Sequence, residues 1–223
     1  MEKLFLPSSI NYICEDAFYN CNGLVKITIP NSVTSIGIAV FDDTDWFDNQ
    51  PDGILYLDNC CLGYKGESPS GTLNIKSGTR LISDNAFDYC YELTSVSMPN
   101  TLKYIGNNAF DYCIELASLS IPKSVSSIGH SAFSCCGGLT SITLPESITT
   151  IEYNTFRSCY SLKNVVIPKS VTTIGANAFA YVYNFKNKTE PILISLPAGL
   201  GVKFKSHMEK TIGKVENEIG LFF

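Results

Sequence analysis

Residues 113–133 read CIELASLSIPKSVSSIGHSAF, and variants of this stretch follow one another along the 223-residue chain. The closing phenylalanine recurs every 23 residues, with one interval of 46, at Phe18, Phe41, Phe87, Phe110, Phe133, Phe156 and Phe179. A repeat of about 20–50 residues is typical of a solenoid or propeller, in which each unit buries its apolar side against its neighbours. The 23-residue spacing continues without a shift along the chain, which favours one elongated domain.

Each repeat contains the pattern of a strand followed by a return. Residues 119–121 alternate apolar and polar side chains, as a half-buried strand does. Pro122 ends the strand because proline lacks the N–H group that a β-ladder uses. Gly129 permits a tight turn, and residues 132–136 have the spacing of a short helical turn that faces the core. The same pattern predicts strands at 26–29, 95–98, 118–121, 141–144 and 164–167.

We expect these strands to stack in register, about 4.8 Å apart, into one parallel β-sheet. The fold class is therefore an α/β-type repeat solenoid, with the sheet on the concave face and short helical turns on the convex side. Besides the phenylalanines, two columns point inward: Leu24, Leu93, Leu116, Leu139 and Leu162, and Ile36, Ile105, Ile128, Ile151 and Ile174. Each coil then hides the apolar side of the next, which stabilises the stack.

One segment, residues 46–71, departs from the repeat pattern, although its length preserves the 23-residue spacing of the repeats on either side. Its apolar runs 54–57 and 60–64 flank Asp58 and Asn59, which predicts an inserted β-hairpin that projects from the solenoid or covers it. We expect Trp46 and Phe47 to fill the gap in the repeat, and a partner-binding anchor is their alternative role. Because the repeat fades after Tyr181, residues 1–183 are predicted to form the solenoid and 184–223 a C-terminal cap and tail.

Nine cysteines raise the question of a disulfide framework. Five share one repeat position, so we interpret them as an inward column of buried free thiols: Cys21, Cys90, Cys113, Cys136 and Cys159. A second column carries hydroxyls that we expect to satisfy backbone groups at the bend: Ser32, Thr101, Ser124, Ser147 and Ser170.

Candidate metal ligands do not form a recognisable pattern. The cysteines lack zinc-site spacing, and neither His130 nor His207 has a suitably spaced cysteine partner. An acidic cluster offers carboxylates to calcium, but it lacks the glycine and distal glutamate of an EF-hand: Asp42, Asp43, Asp45, Asp48 and Asp52. We interpret this cluster as a solvated loop, with calcium as the alternative, and expect neither a metal nor a cofactor.

The sequence also argues against several classes of function. It contains no G-x-S-x-G, H-E-x-x-H, P-loop or G-x-G-x-x-G motif, and a cysteine in an apolar column is a poor nucleophile. We therefore expect no enzyme and no catalytic residues. A net charge of −5 gives no support for nucleic-acid binding. Without an apolar run of about 18 residues, membrane insertion is not expected.

The chain starts within a repeat. Its residues 4–7 match residues 27–30, and no apolar segment of a signal peptide follows Met1. Since a solenoid needs a polar cap at each end, we expect this chain to lack upstream repeats and any leader.

The cycle C-x-x-L-x-x-I-x-I-P-x-S-V-x-x-I-G-x-x-A-F resembles the BspA-like class of leucine-rich repeats. The resemblance covers most of residues 4–181, with seven copies of the A-F block, and residues 46–56 resemble a variant repeat of bacterial members. It implies a curved, right-handed solenoid at the cell surface or secreted from the cell. It also implies a role in adhesion or host-protein binding, without shared catalytic residues.

Outward-facing strand residues form the candidate partner-binding surface: Lys26, Thr28, Ser95, Ser97, Ser118, Ser120, Ser141, Thr143, Asn164 and Val166. Solenoid curvature makes such a surface concave and extended, which suits a protein or a polymer. The surface carries mostly small hydroxyl side chains and few of the residue types that dominate hot spots. This composition favours a broad contact over a small-molecule pocket. We therefore expect a non-enzymatic protein-binding module whose partner is a host extracellular or surface protein.

Two alternative functions remain open. The first is a structural spacer that displays other domains. The second is a carbohydrate- or cell-wall-binding accessory domain, in which Tyr89, Tyr112 and Tyr181 stack on sugar rings. Packing between coils is the simpler account of these tyrosines.

Overall fold

The computed structural model describes residues 2–182, 193–195 and 221–222 as a parallel β-solenoid of about seven coils. One set of strands, the long-strand series, repeats along the solenoid: Glu2–Phe5, Leu24–Thr28, Gly71–Asn74, Leu93–Ser97, Ser118–Leu119, Ser141–Thr143, Asn164–Val166, Leu193–Ser195 and Leu221–Phe222. Its members pair in parallel in three separate sheets, which begin at Glu2, Gly71 and Ser141. The prediction of one sheet is wrong because residues 29–70 separate the first two sheets, and the two-residue strand at Ser118 ends the second.

A second parallel series lies where the sequence predicted only inward isoleucines. This short-strand series contains two-residue strands at Tyr12–Ile13, Ser35–Ile36, Leu81–Ile82, Tyr104–Ile105, Ser127–Ile128, Thr150–Ile151 and Thr173–Ile174. Strands of neighbouring regular coils pair one coil apart, as in the register Ile105↔Ile128, except that Ser127–Ile128 and Thr150–Ile151 belong to separate sheets. Each regular coil thus presents two strands, each of which pairs along the solenoid.

The predicted helical turns are wrong. Among the described residues, the one α-helix is Asp45–Asp48, and the segments around the repeated phenylalanines are turns. The N–H groups of Asn108, Phe110 and Tyr112 donate to carbonyls of the next coil at 2.9–3.0 Å, so they close no helix within their own coil. Asn108 and Tyr112 also have positive φ angles, 51° and 57°, which a right-handed helix does not allow.

We call these three bonds the turn ladder. The donors are the residue two before the phenylalanine, the phenylalanine itself, and the residue two after it. The complete set occurs in five coils of the described chain, those of Phe18, Phe87, Phe110, Phe133 and Phe156.

The three inward columns are confirmed. Rings of successive phenylalanines from Phe87 to Phe179 stack with centroids 5.3–5.7 Å apart, and all five rings are buried. The leucine column is buried throughout, and the isoleucine column is buried except for half-buried Ile174. Burying one such side chain contributes roughly 1.5–3 kcal/mol, so the columns supply most of the stabilisation.

The core divides into two clusters where the repeat is interrupted. Phe18 and Phe41 form a separate stacked pair, with ring centroids 5.7 Å apart. The Trp46 ring meets the edge of Phe41 with centroids 5.4 Å apart, and only 9% of its surface is exposed. This burial supports the gap-filling role predicted for Trp46.

The insertion is part of the solenoid wall. Its strands Gly53–Leu57 and Cys60–Lys65 form the predicted antiparallel hairpin. The second strand also pairs in parallel with Leu81–Ile82, so the hairpin belongs to the short-strand series and does not project. Arg80 attaches the hairpin to the preceding coil, since its side chain donates to Asn59 Oδ1 at 2.8 Å and to the Pro30 carbonyl at 2.9 Å. No sequence pattern indicated this contact.

Gly129 serves a purpose other than the predicted tight turn. A Cβ atom at this position would lie 2.6 Å from the backbone nitrogen of Asn107 in the preceding coil. Gly106 approaches Asp84 in the same way, at 2.5 Å. Glycine is therefore needed here because the two backbones approach closely, and a side chain has no room.

Most of the predicted cap and tail, 184–223, lies outside the described residues. Leu193–Ser195 pairs in parallel with Asn164–Val166, and Leu221–Phe222 pairs with Leu193–Ser195. Strand pairing therefore extends into this segment, whereas the domain boundary at 183 stays a prediction.

Candidate functional site

The long-strand series presents its predicted outward residues to solvent. Nine of the ten side chains are exposed and Ser95 is half-buried, while the alternating residues Ile27, Val96, Ile142 and Val165 are buried. Parallel register places Ser95 beside Ser118, and Ser141 beside Asn164. We call this exposed surface the strand face.

The structure does not bring all ten residues together. Lys26 and Thr28 lie on the first sheet, and the insertion separates them from the rest. Seven of the other eight lie on the second and third sheets, and Ser120 directly follows the strand Ser118–Leu119. These two sheets adjoin at the contacting strands that start at Ser118 and Ser141. The continuous part of the strand face therefore extends from Ser95 to Val166.

Four further residues belong to this face and were missed. Thr72 and Asn74 pair with Ser95 and Ser97, and they are exposed. Lys3 and Phe5 pair with Lys26 and Thr28 on the first sheet. The match between residues 4–7 and 27–30 contained this information, since it aligns Lys3 with Lys26 and Phe5 with Thr28.

Phe5 changes the chemistry of its end of the face. Its side chain is 69% exposed, and Lys3 Nζ lies 4.3 Å from the ring centroid in a cation–π contact. At the other end Val166 is 47% exposed. Between them the face is polar, and Thr72 Oγ1 and Ser95 Oγ share a hydrogen bond of 2.8 Å. The surface therefore offers hydroxyls for broad polar contact, with apolar groups at its ends.

Four of the five predicted column cysteines are buried free thiols: Cys90, Cys113, Cys136 and Cys159. Cys21 is exposed, so the prediction is wrong for the first member, which belongs to a coil near the start of the chain. Burial raises the pKa of Cys60 to about 11 and that of Cys61 to about 12. These thiols stay protonated near neutral pH and are poor nucleophiles.

The hydroxyl column behaves as predicted at two positions. Thr101 Oγ1 donates to the Thr79 carbonyl at 2.8 Å, and Ser147 Oγ donates to the Lys123 carbonyl at 3.1 Å. The Oγ atoms of Ser32, Ser124 and Ser170 are buried but have no hydrogen-bond partner among the described residues. The prediction is wrong for these three.

The tyrosines pack against each other. Tyr89 and Tyr112 stack with ring centroids 4.8 Å apart and an interplanar angle of 13°, so one face of each ring packs against the other ring. Cys135 and Ser158 occupy the positions between Tyr112 and Tyr181, and the Arg157 guanidinium lies 5.2 Å from the Tyr181 ring centroid. Packing between coils is thus confirmed for the first pair, and the three rings do not form one continuous sugar-binding platform.

Within the part of the chain that the structure describes, no three His, Cys, Asp or Glu side chains are grouped as metal ligands. Asp45 and Asp48 lie on the one-turn helix, whose first turn is capped by the Thr44 hydroxyl. Within the described residues, no helix has the length and apolar character needed to span a membrane.

The stacked coils and the exposed strand face define this chain as a β-solenoid repeat protein. Six copies of the family described as BspA type leucine rich repeat region match residues 1–50 and 73–195. The chain therefore belongs to the BspA-type leucine-rich repeat family, and the unmatched residues 51–72 coincide with the hairpin insertion.

Solved structures of bacterial repeat proteins are similar to it. The pneumococcal vaccine antigen PcpA matches with 16% identity and a TM-score of 0.51, over 100% of this chain and 68% of that one, which supports the fold. A leucine-rich repeat protein from Eubacterium ventriosum matches with 21% identity and a TM-score of 0.48, over 82% of this chain and 43% of that one. A leucine rich cell surface protein from Faecalibacterium prausnitzii matches with 24% identity and a TM-score of 0.41, over 88% and 54%. This chain spans about half the length of the last two, and the search of curated proteins gave no match.

Proposed function

We propose that this chain is a non-enzymatic protein-binding module that contacts its partner through the strand face. Membership of the leucine-rich repeat family is consistent with a protein-interaction module. The observation that carries the proposal is the row of mostly small polar, solvent-exposed side chains between Ser95 and Val166, in register over buried residues such as Val96, Ile142 and Val165.

The geometry of this face suits a broad contact. Its exposed side chains are mostly short, so a partner can approach the strands closely over several coils. Because Trp, Tyr and Arg dominate interface hot spots and are absent from the predicted face, affinity comes from area and many weak hydrogen bonds. Phe5 on the first sheet and Val166 on the third sheet add exposed apolar side chains to the series.

The partner that we propose is a host extracellular or surface protein, contacted by a chain that is displayed at the bacterial surface or secreted. The family resemblance supports this location and an adhesive role. The alternative of a spacer predicts no partner at the strand face. The alternative of glycan binding predicts a contact that depends on the tyrosines.

Biolayer interferometry against a panel of purified host extracellular-matrix and surface proteins tests the proposal. Ser118→Arg and Ser141→Arg place long charged side chains on the strand face, where we expect at least about a tenfold loss of affinity. Ser126→Arg and Thr149→Arg are matched controls, because both residues are exposed but lie outside the long-strand series. Binding that survives both face variants would contradict the proposal, and selective loss in Tyr89→Ala would favour a glycan or another tyrosine-dependent ligand.

A further inference from the structure

The turn ladder is interrupted at one junction between described coils. The N–H groups of Ala39, Phe41 and Asp43 are equivalent to the donors of Asn108, Phe110 and Tyr112, but they have no acceptor among the described residues. Across the interruption, the carbonyls of Asp84 and Ala86 are equivalent to acceptors in the other coils, yet no described residue donates to them. The junction therefore has an edge of open donors facing an edge of open acceptors.

A cavity of about 240 Å³ lies between these edges. Its lining includes residues 36–42 and 83–86, together with Trp46, Phe47, Leu62 and Tyr64. The two coils touch at one end, where the Asp84 N–H group donates to the Ile36 carbonyl at 2.9 Å. The insertion keeps them apart beyond this point, which leaves the cleft.

The charge of the cleft is negative. Asp42, Asp84 and Asp88 line it, and its lining contains no Lys, Arg or His. The Asp84 carboxylate is satisfied, since Asn107 donates to both of its oxygens at 2.9 Å. Asp88 differs, because its Oδ2 accepts from Asn85 at 3.0 Å while its buried Oδ1 has no partner among the described residues.

We propose that this cleft binds a short basic peptide segment of a partner protein. The main chain of the segment pairs with the open turn-ladder edges, and a Lys or Arg side chain meets Asp42 and Asp88. A peptide offers carbonyls to Ala39 and Phe41 and N–H groups to Ala86, as main-chain recognition at an open edge requires. An isolated amine would leave the donors unpaired, so the open edges favour a peptide. The site lies apart from the strand face and does not depend on the function proposed for it.

Trp46 allows a direct test, because it is the only tryptophan of the chain and lines the cleft. The probe is the peptide acetyl-Lys-Ala-Lys-Ala-Lys-amide, titrated at low ionic strength while Trp46 emission is recorded. We expect a saturable change in emission. The same peptide with Glu in place of Lys should give none.

The Asp42→Asn/Asp88→Asn double variant should bind the lysine peptide about tenfold more weakly, which is the order of one lost charge-assisted hydrogen bond. Glu115→Gln is the control, since it removes one negative charge from an exposed residue that does not line the cleft. Its affinity should equal that of the unmodified chain. Circular-dichroism melting of each variant shows whether the fold is retained.

Three outcomes would overturn the proposal. They are the absence of a saturable response, a double variant that binds the lysine peptide as tightly as the unmodified chain, and binding of butylamine as tight as that of the lysine peptide. The last outcome would indicate a simple amine site. Amide hydrogen exchange gives a second readout, because peptide binding should protect the Phe41 N–H group. Ser118→Arg should leave peptide binding unchanged, so a failure of the strand-face proposal and a failure of this one are distinguishable.

Discussion

The thiol of Cys136 donates a hydrogen bond of 3.2 Å to the backbone carbonyl of Phe110 in the preceding coil. Cys113 and Cys159 make the same bond to the carbonyls of Phe87 and Phe133, at 3.3 and 3.2 Å. The Phe110 and Phe133 carbonyls lie between acceptors used by the turn ladder. The cysteine column therefore satisfies buried backbone groups as well as filling space, although a thiol is a weak donor.

Cys136→Ala should reduce the free energy of unfolding by about 1–3 kcal/mol, because it leaves a small cavity and removes one of two donors to the Phe110 carbonyl, which keeps a bond of 3.4 Å from the Cys113 N–H group. Cys136→Ser keeps a donor and should lose less. Cys21→Ala is the control, since Cys21 is exposed in the same repeat position. Urea unfolding measures all three, and equal stability of Cys136→Ala and the unmodified chain would contradict the role assigned to the thiol.

Phe133→Ala should cost about 3–5 kcal/mol. The ring is fully buried and stacks on both neighbours, with centroids 5.5 Å from Phe110 and 5.7 Å from Phe156. Coils of a solenoid stabilise each other, so hydrogen exchange should accelerate in the coils on either side. In Phe5→Ala, where the ring is 69% exposed, we expect a change within about 0.5 kcal/mol. Unchanged melting of Phe133→Ala would mean that the inward columns are misassigned.

Periodic burial made the core predictable from sequence. Phe110, Leu116 and Ile128 recur at fixed positions because each must meet its counterpart one coil away, and the structure buries all three. The spacing of residues 132–136 fits a helix and a turn equally well. It could therefore not predict that the segments around the repeated phenylalanines are turns. These segments form turns because their N–H groups donate to carbonyls of the next coil. The asparagines at 85, 108, 154 and 177 were an available signal, because asparagine tolerates the positive φ found there.

The candidate site was only partly predictable. Alternation within each strand identified the exposed residues, such as Ser118 and Ser141, without reference to other coils. The division of these residues among three sheets depends on where the strands after the insertion pair. The length of residues 46–71 does not determine this pairing. The open turn-ladder edge beside Phe41 is also a property of two coils together, so no local pattern indicates it.

Gly63→Ala should lower stability by about 1–3 kcal/mol. Gly63 has a φ of +126°, and a Cβ atom there would lie 2.8 Å from the Ala86 carbonyl oxygen, which lines the cleft. The hairpin would have to move, and Trp46 emission should change with it. Gly23→Ala is the control, since no atom outside its immediate chain neighbours lies within 4 Å of its Cβ position. Thermal unfolding that is equal in the two variants would show that the hairpin accommodates the methyl group.

Asp111→Asn should stabilise the protein at neutral pH. Burial raises the pKa of Asp111 to about 6 from its ordinary value of 3.8; the Ser134 hydroxyl opposes this rise, and the nearby Asp88 carboxylate adds to it. A carboxyl whose pKa is raised by folding favours the folded state most below its unfolded pKa. That contribution is lost as pH rises from about 4 through about 6, because ionisation is then easier in the unfolded chain.

The asparagine variant does not ionise, so its advantage should grow over this pH window to about 1 kcal/mol at pH 7, a value reduced for the partial solvent screening of Asp111. At pH 4 the two proteins should differ far less. Urea unfolding at both pH values measures the difference, with Glu115→Gln as the control for removing an exposed charge. A gain at pH 7 that persists unchanged at pH 4 would assign the effect to packing or hydrogen bonding, because carboxylate burial requires the pH dependence.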